Sequence, residues 1–197
     1  YTPNAHYFGN DSFTVTLNDG TSSVTETISL TVAPVNDEPT LSTSSYTTNE
    51  DTSKSITLVT SDLDGDTVSV SLKTNSTNGT SSCSNKNCTY DPSQNFNGSD
   101  SFVVTLNDGN SSVDKTVSIT VSPINDDPVA VAKSDNVAKN TDRTLSLEGS
   151  DADEDSLTYS VVSQPTHGSL NCTNSSCNYT PDNDYTGSDS FTYKVND

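Results

Sequence analysis

Three stretches of this chain align without a gap at a spacing of 89 residues: YTPNAHYFGNDSFTVTLNDG from Tyr1, YDPSQNFNGSDSFVVTLNDG from Tyr90 and YTPDNDYTGSDSFTYKVND from Tyr179. The same interval separates VNDEP at Val35 from INDDP at Ile124, SDLDGDTVS at Ser61 from SDADEDSLT at Ser150, and Cys83 and Cys88 from Cys172 and Cys177. A fixed period of this length means an array of like units, each long enough to hold its own core. The Asn-Asp-acidic-Pro linkers serve as boundaries. They predict the C-terminal strands of one repeat in 1–35, a complete repeat in 36–124, and a third in 125–197 that lacks its last strand. On this reading the array runs on beyond the stretch given, or a neighbouring chain donates the missing strand.

The repeat overturns what composition alone suggests. The net charge is −19, Asp outnumbers Glu 22 to 5, and Leu, Ile, Val and Phe together number 38 of 197 residues. A chain so acidic and so poor in apolar residues ordinarily stays disordered. The acidic excess argues against nucleic acid and anionic membrane surfaces as partners, and no apolar run approaches the length of a membrane span. Within each unit the apolar residues recur every second position. In SFTVTL, Phe13, Val15 and Leu17 share a face; in VTETISLTV, Val24, Ile28, Leu30 and Val32 do, with Thr and Ser opposite. That alternation marks half-buried antiparallel strands, and the intervening NDG marks a hairpin. Further strands are expected near 43–48, 54–60, 67–73, 79–83 and 88–91, giving seven per repeat and no helix. Seven short strands with regular turn signals predict an all-β fold of tandem Greek-key sandwiches, Ig-like or cadherin-like, end to end.

Each cysteine pair, Cys83 with Cys88 and Cys172 with Cys177, flanks a four-residue turn between the fourth and fifth strands. Opposed cross-strand positions suit a disulfide, which is read here over free thiols or a zinc site lacking two further ligands. Disulfides imply an oxidising compartment.

The segments SYTTNEDT, SDLDGD, YDPSQNFNGSDSFVVTLNDG and VNDEP resemble the bacterial tandem Ig-like and cadherin-like repeats of giant surface adhesins. The resemblance covers essentially the whole chain. It implies extracellular, calcium-binding modules that extend an adhesin from the cell surface, as animal cadherins bind calcium between domains through acidic linkers. The chain departs from the cadherin linker in carrying Pro34 and Pro123 where that linker begins with Asp. In the third repeat NED (Asn49–Asp51) becomes Ala138, Lys139 and Asn140.

In an Ig-type sandwich, strands lettered A to G, the B–C and F–G loops lie at the end where the linker enters, and the A–B and E–F loops lie at the other. The first junction would therefore collect Asp11, Asn36, Asp37, Glu38, Asp62, Asp64 and Asp66. The second would collect Glu50, Asp51, Asp100, Asn125, Asp126, Asp127, Asp151, Asp153 and Asp155. Bare carboxylates about 6 Å apart repel by roughly 2–3 kcal/mol at an effective dielectric near 20. No Lys or Arg is placed to relieve this, and hard oxygen donors in flexible loops select Ca2+ over Mg2+. His6 and His167 occupy non-equivalent positions and are read as surface residues without a role.

No nucleophile, base and orienting acid recur together, and no Gly-rich phosphate loop is present, so no enzyme activity is expected. The reading is a calcium-stiffened extracellular stalk or filament segment of a surface adhesion protein. Its partners would be neighbouring repeats of the same chain and other copies in a filament or at a cell surface, with no membrane insertion. The alternative is a module that itself recognises a glycan or another copy of the protein. Against a sugar platform, Trp is absent, and Tyr90, Tyr179, Phe102 and Phe191 repeat at core-like positions.

Overall fold

The period-two pattern becomes strands throughout: the computed structural model, which describes residues 1–197, is all-β with no helix. The chain divides into two units, Tyr1–Pro123 and Ile124–Asp197.

The first unit opens with the hairpin β1 (Gly9–Asn18) and β2 (Ser23–Val32), paired in register from Gly9↔Val32 to Asn18↔Ser23. There follow β3 (Thr40–Leu41), β4 (Ser45–Asn49), β5 (Lys54–Thr57), β6 (Thr60–Ser61), β7 (Ser69–Thr74), β8 (Gly79–Ser84), β9 (Asn87–Pro92), β10 (Gly98–Asn107) and β11 (Ser112–Ser122). One sheet has the order β4-β11-β10-β7, with β4 parallel to β11; the other is β5-β9-β8. This is the A–G–F–C and B–E–D arrangement of an Ig-like sandwich. The run expected over 54–60 is broken in two. Leu58 is buried and Val59 exposed, and beyond them β6 leaves β9 to pair with β3. The residues between β5 and β6 thus let one strand serve both ends of the sandwich.

The core lies between the two sheets. Phe102, Val104, Leu106, Val117, Ile119 and Val121 of the β10–β11 hairpin face Ile56, Leu58, Val68, Val70, Cys88 and Tyr90, all buried. Each such apolar side chain contributes roughly 1.5–3 kcal/mol on full burial. In the β1–β2 hairpin the equivalent face is formed with the same register but is exposed, Phe13 at 46% and Leu17 at 61%, because no second sheet packs on it.

The second unit repeats the plan with β12 (Val129–Ala130), β13 (Arg143–Ser146), β14 (Gly149–Ser150), β15 (Thr158–Ser163), β16 (Gly168–Thr173), β17 (Ser176–Pro181) and β18 (Thr192–Asn196). Here β13-β17-β16 forms one sheet, and β18 pairs with β15. Its core is thinner: Leu147, Cys177 and Tyr179 are buried, but Phe191 only half so. Both disulfides are present, Cys83–Cys88 and Cys172–Cys177. Each joins directly opposed residues one pair behind a two-residue turn, since Ser84 still pairs with Asn87 and Thr173 with Ser176.

A tyrosine and an aspartate join the sheets at the E–F corner. The Tyr90 hydroxyl on β9 donates to Asp100 Oδ2 on β10 at 3.0 Å. Asp100 accepts three further bonds, from the amides of Thr77, Asn78 and Ser101. The Tyr90 ring lies over Gly79, where an added methyl would sit 2.4 Å from the Asp91 carbonyl and 2.9 Å from the ring. Gly79→Ala is therefore expected to destabilise the sandwich by about 1–3 kcal/mol in a denaturant titration.

The same corner recurs in the second unit, where the Tyr179 hydroxyl and the amides of Thr166, His167 and Ser190 all donate to Asp189. Burial by itself would raise the Asp189 carboxyl, but these donors outweigh it and hold the group at about 2. Burial, and then the bond to Asp189, push Tyr179 up to about 12. A carboxyl depressed on folding contributes stability above its ordinary pKa of about 4, and that stability is lost as pH falls through the folded value. Thermal melts followed by circular dichroism are expected to keep their midpoint down to about pH 4 and to fall below it. Asp189→Asn is expected to lower the neutral-pH midpoint and shrink that acid drop.

Candidate metal centre

The loop between β6 and β7 is organised by its first aspartate. Asp62 Oδ1 accepts the amides of Asp64 at 2.9 Å and Asp66 at 3.3 Å, wrapping the loop around one carboxylate. Gly65 takes φ +83° to close it. In the second unit Asp151 Oδ1 accepts the amides of Asp153 at 2.9 Å and Asp155 at 3.2 Å. There the three carboxylates converge, with ligand atoms within 4.8 Å of one another. At that spacing each charged pair repels by about 3 kcal/mol at an effective dielectric of 20, less where water screens it.

The linker closes over each loop. The Asp37 amide donates to Asp64 Oδ2 at 2.7 Å, and the Asp126 amide donates to Asp153 Oδ2 at 2.7 Å. The other oxygens of the organising residues, Asp62 Oδ2 and Asp151 Oδ2, are shielded from water and have no hydrogen-bond partner. A buried anionic oxygen left without a donor is costly, and a cation is one way to satisfy it. The donors around it are all oxygen, the set a hard divalent cation takes.

The turn between β10 and β11 supplies residues that the sequence reading passed over. Asp108 is buried and accepts from the amides of Asn110 and Ser111, the Ser111 hydroxyl and Asn36 Nδ2. Those donors, the Ser111 amide foremost, hold its carboxyl well below the usual range. Asn110 Nδ2 donates to Asp66 Oδ2 at 3.3 Å, tying turn to loop. In the second unit Asp197 stands at the Asp108 position and accepts from Asn125 at 2.7 Å. The sequence signal is the NDG motif itself, which marks a turn and whose loop shares the linker end of the sandwich with the aspartate loop.

The remaining candidates lie apart from these clusters. Asp100 gives its oxygens to Tyr90 and three amides, and Asp11 has a donor on each oxygen, the Tyr1 hydroxyl and the Ser12 amide. Both are corner residues, a role that alternation could not distinguish from a surface acid. Asp51, at φ 52°, accepts the Asn95 amide and so ties the A–B and E–F turns; Glu50 beside it is buried. At the matching place in the second unit Lys139 pairs with Asp184 at 2.7 Å, and Asn140 bonds the Asp184 amide. Glu38 and Asp127 are exposed. His6 is exposed, with its Nδ1 2.7 Å from Asp37 Oδ2. His167 stacks on Tyr185 with ring centroids 4.2 Å apart.

Fold and loops together define a tandem Ig-like β-sandwich repeat with an acidic linker end. The chain belongs to the bacterial Ig domain family, whose profile matches residues 36–121 and 125–197. No curated protein sequence matches it. Among solved structures it is similar to mouse protocadherin-24 EC1-3, at TM-score 0.50 and 16% identity over 92% of this chain and 75% of that one. Drosophila N-cadherin EC1-4 matches at TM-score 0.43 and 14% identity, over 89% and 50%. An endo-fucoidan hydrolase of glycoside hydrolase family 107 matches at TM-score 0.38 and 20% identity; the chain spans 33% of its length.

One residue of the acidic loop is out of place. Glu154 occupies the Gly65 position at φ 63°, a left-handed conformation that costs a residue with a Cβ about 1 kcal/mol. Glu154→Gly is expected to raise the stability of the second unit by up to about 1 kcal/mol in chemical denaturation, partly offset by the entropy of glycine in the unfolded chain.

Proposed function

We propose that this chain is a segment of an extracellular repeat array in a surface adhesion protein, that its acidic linker ends bind calcium, and that the bound ion stiffens the array. The repeats would be 36–124, complete, with 1–35 closing one before it and 125–197 belonging to a third. The observation that carries the reading is the duplicated loop. In two repeats an aspartate oxygen without a donor, at Asp62 and at Asp151, is shielded from water, and at Asp151 the carboxylates of Asp153 and Asp155 lie within 4.8 Å.

Calcium would be held by Asp62, Asp64 and Asp66 with Asp37, and by Asp151, Asp153 and Asp155 with Asp126 and Asp197; Asp108, with donors on both oxygens, holds the linker beside the first loop. Glu38 and Asp127 would add charge from the linkers. Asp11 and Asp100 drop out of the proposed set because their oxygens already have donors. The two disulfides support an oxidising location outside the cell. The partners would be neighbouring repeats and other copies at a cell surface.

Calorimetry is expected to detect calcium binding in the ~0.1–1 mM range typical of extracellular modules. Asp153→Asn is expected to remove the site of the third repeat and spare the other. Small-angle scattering with and without chelator then reads the stiffening. Absence of binding heat sinks the calcium assignment, whereas binding without any change in maximum dimension sinks the stiffening alone.

A further inference from the structure

Asn36 belongs to the linker by sequence, yet its side chain is bonded on both sides by the turn between β10 and β11. Its Nδ2 donates to Asp108 Oδ2 at 3.1 Å and to Ser111 Oγ at 3.2 Å, and its Oδ1 accepts from Asn110 Nδ2 at 2.9 Å. Asp108 is itself fixed: buried, with the amides of Asn110 and Ser111 on Oδ1 at 2.7 and 2.6 Å. Asn36 therefore bonds an acceptor that cannot swing away. One residue on, the Asp37 amide donates to Asp64 Oδ2, and the Pro39 side chain is fully buried. Just before Asn36 the chain changes character. Ala33, Pro34 and Val35 belong to no strand and are exposed, Val35 at 82%. The second unit contains the same arrangement within itself, Asn125 Nδ2 donating to Asp197 Oδ2 and the Asp126 amide to Asp153 Oδ2, each at 2.7 Å.

We propose that the β10–β11 turn latches the linker asparagine, making Asn36–Pro39 the first element of the sandwich that follows. Bending between the β1–β2 hairpin and that sandwich then falls on Ala33–Val35, not on the Asn-Asp-acidic-Pro segment. Asn36 and Asp108 are positioning residues. They hold the Asp37 amide and carboxylate beside the aspartate loop before any cation arrives, so the latch goes beyond the calcium reading and stands without it.

Amide hydrogen exchange on the full chain in excess chelator tests this, because the outcome is then independent of calcium binding. The Asp37 amide is expected to be protected at least about tenfold more than the Val35 amide. Asn36→Asp sets carboxylate against carboxylate and is expected to cut Asp37 protection about tenfold. Adding Asp108→Asn restores a donor facing an acceptor and is expected to recover it, a reciprocal rescue that simple loosening of the loop would not produce. Amides of β10 and β11 report whether each variant stays folded. If Asn36→Asp unfolds the sandwich, the wild-type comparison decides. An Asp37 amide that exchanges as fast as Val35 overturns the proposal, as does a folded double variant no better protected than the single one.

Discussion

The sandwich turns on one hydrogen bond repeated three times. Tyr1 donates to Asp11, Tyr90 to Asp100 and Tyr179 to Asp189, at 2.6, 3.0 and 2.9 Å. Within residues 36–121 the tyrosine stands on β9, in one sheet, and the aspartate on β10, in the other. The bond therefore does what burial alone cannot. Apolar contact between two sheets is non-directional and tolerates sliding, whereas a tyrosine hydroxyl meeting a carboxylate that three amides already orient admits one alignment. Fixing β10 against β9 at the E–F corner also fixes where β10 ends. The turn after Asn107 then arrives beside the loop after Ser61, and the acidic cluster is assembled at the far end of the strand from the bond that aligned it.

That cluster is held open by backbone amides. Asp62, Asp64 and Asp108 each accept at least one N–H from the loop or linker they organise. Amide dipoles offset part of the mutual repulsion at little entropic cost, because closing the loops has already ordered them. What the amides leave over is consistent between the two units: one shielded oxygen on the organising aspartate. A purely solvated acidic loop has no reason to shield that oxygen from water.

Much of this was legible in the sequence because its physics is local. Alternation gave the β1–β2 face residue by residue, which the 89-residue interval repeats in β10–β11, and the four-residue spacing placed the cysteines of each pair opposite one another. The misses were matters of tertiary context. Nothing in the alternation of 54–60 marks where Leu58 and Val59 let the strand change sheets, since both are apolar and both positions are adjacent. Asp100 and Asp62 are each an aspartate beside small polar residues; only the tyrosine ten residues before Asp100 distinguishes them, and only once the sheets are stacked. Phe102 is buried and Phe13 exposed although DSFVVTL and DSFTVTL differ at one position. The difference lies in whether a second sheet covers the hairpin, which periodicity within the hairpin does not encode.

Comparing the two units at the end opposite the linker shows how the same scaffold carries different charge. In the first, Asp51 accepts the Asn95 amide beside a buried Glu50; in the second, Asn140 accepts the Asp184 amide while Lys139 pairs with the Asp184 carboxylate. The tie between the two turns survives, because Asp51 and Asn140 both offer a side-chain oxygen from a left-handed residue, at φ 52° and 56°. What changes is the balance. Two acids become one cation with its own internal counter-ion, so this end of the second unit already neutralises itself. The linker ends show no such exchange: carboxylates stand at all three loop positions in both units. The tie between turns tolerates Asp or Asn because it needs only an acceptor oxygen. At the linker end an amide-bearing residue would satisfy the same backbone donors at lower electrostatic cost, so the retained charge is the feature that the proposed cation site requires and the fold alone does not.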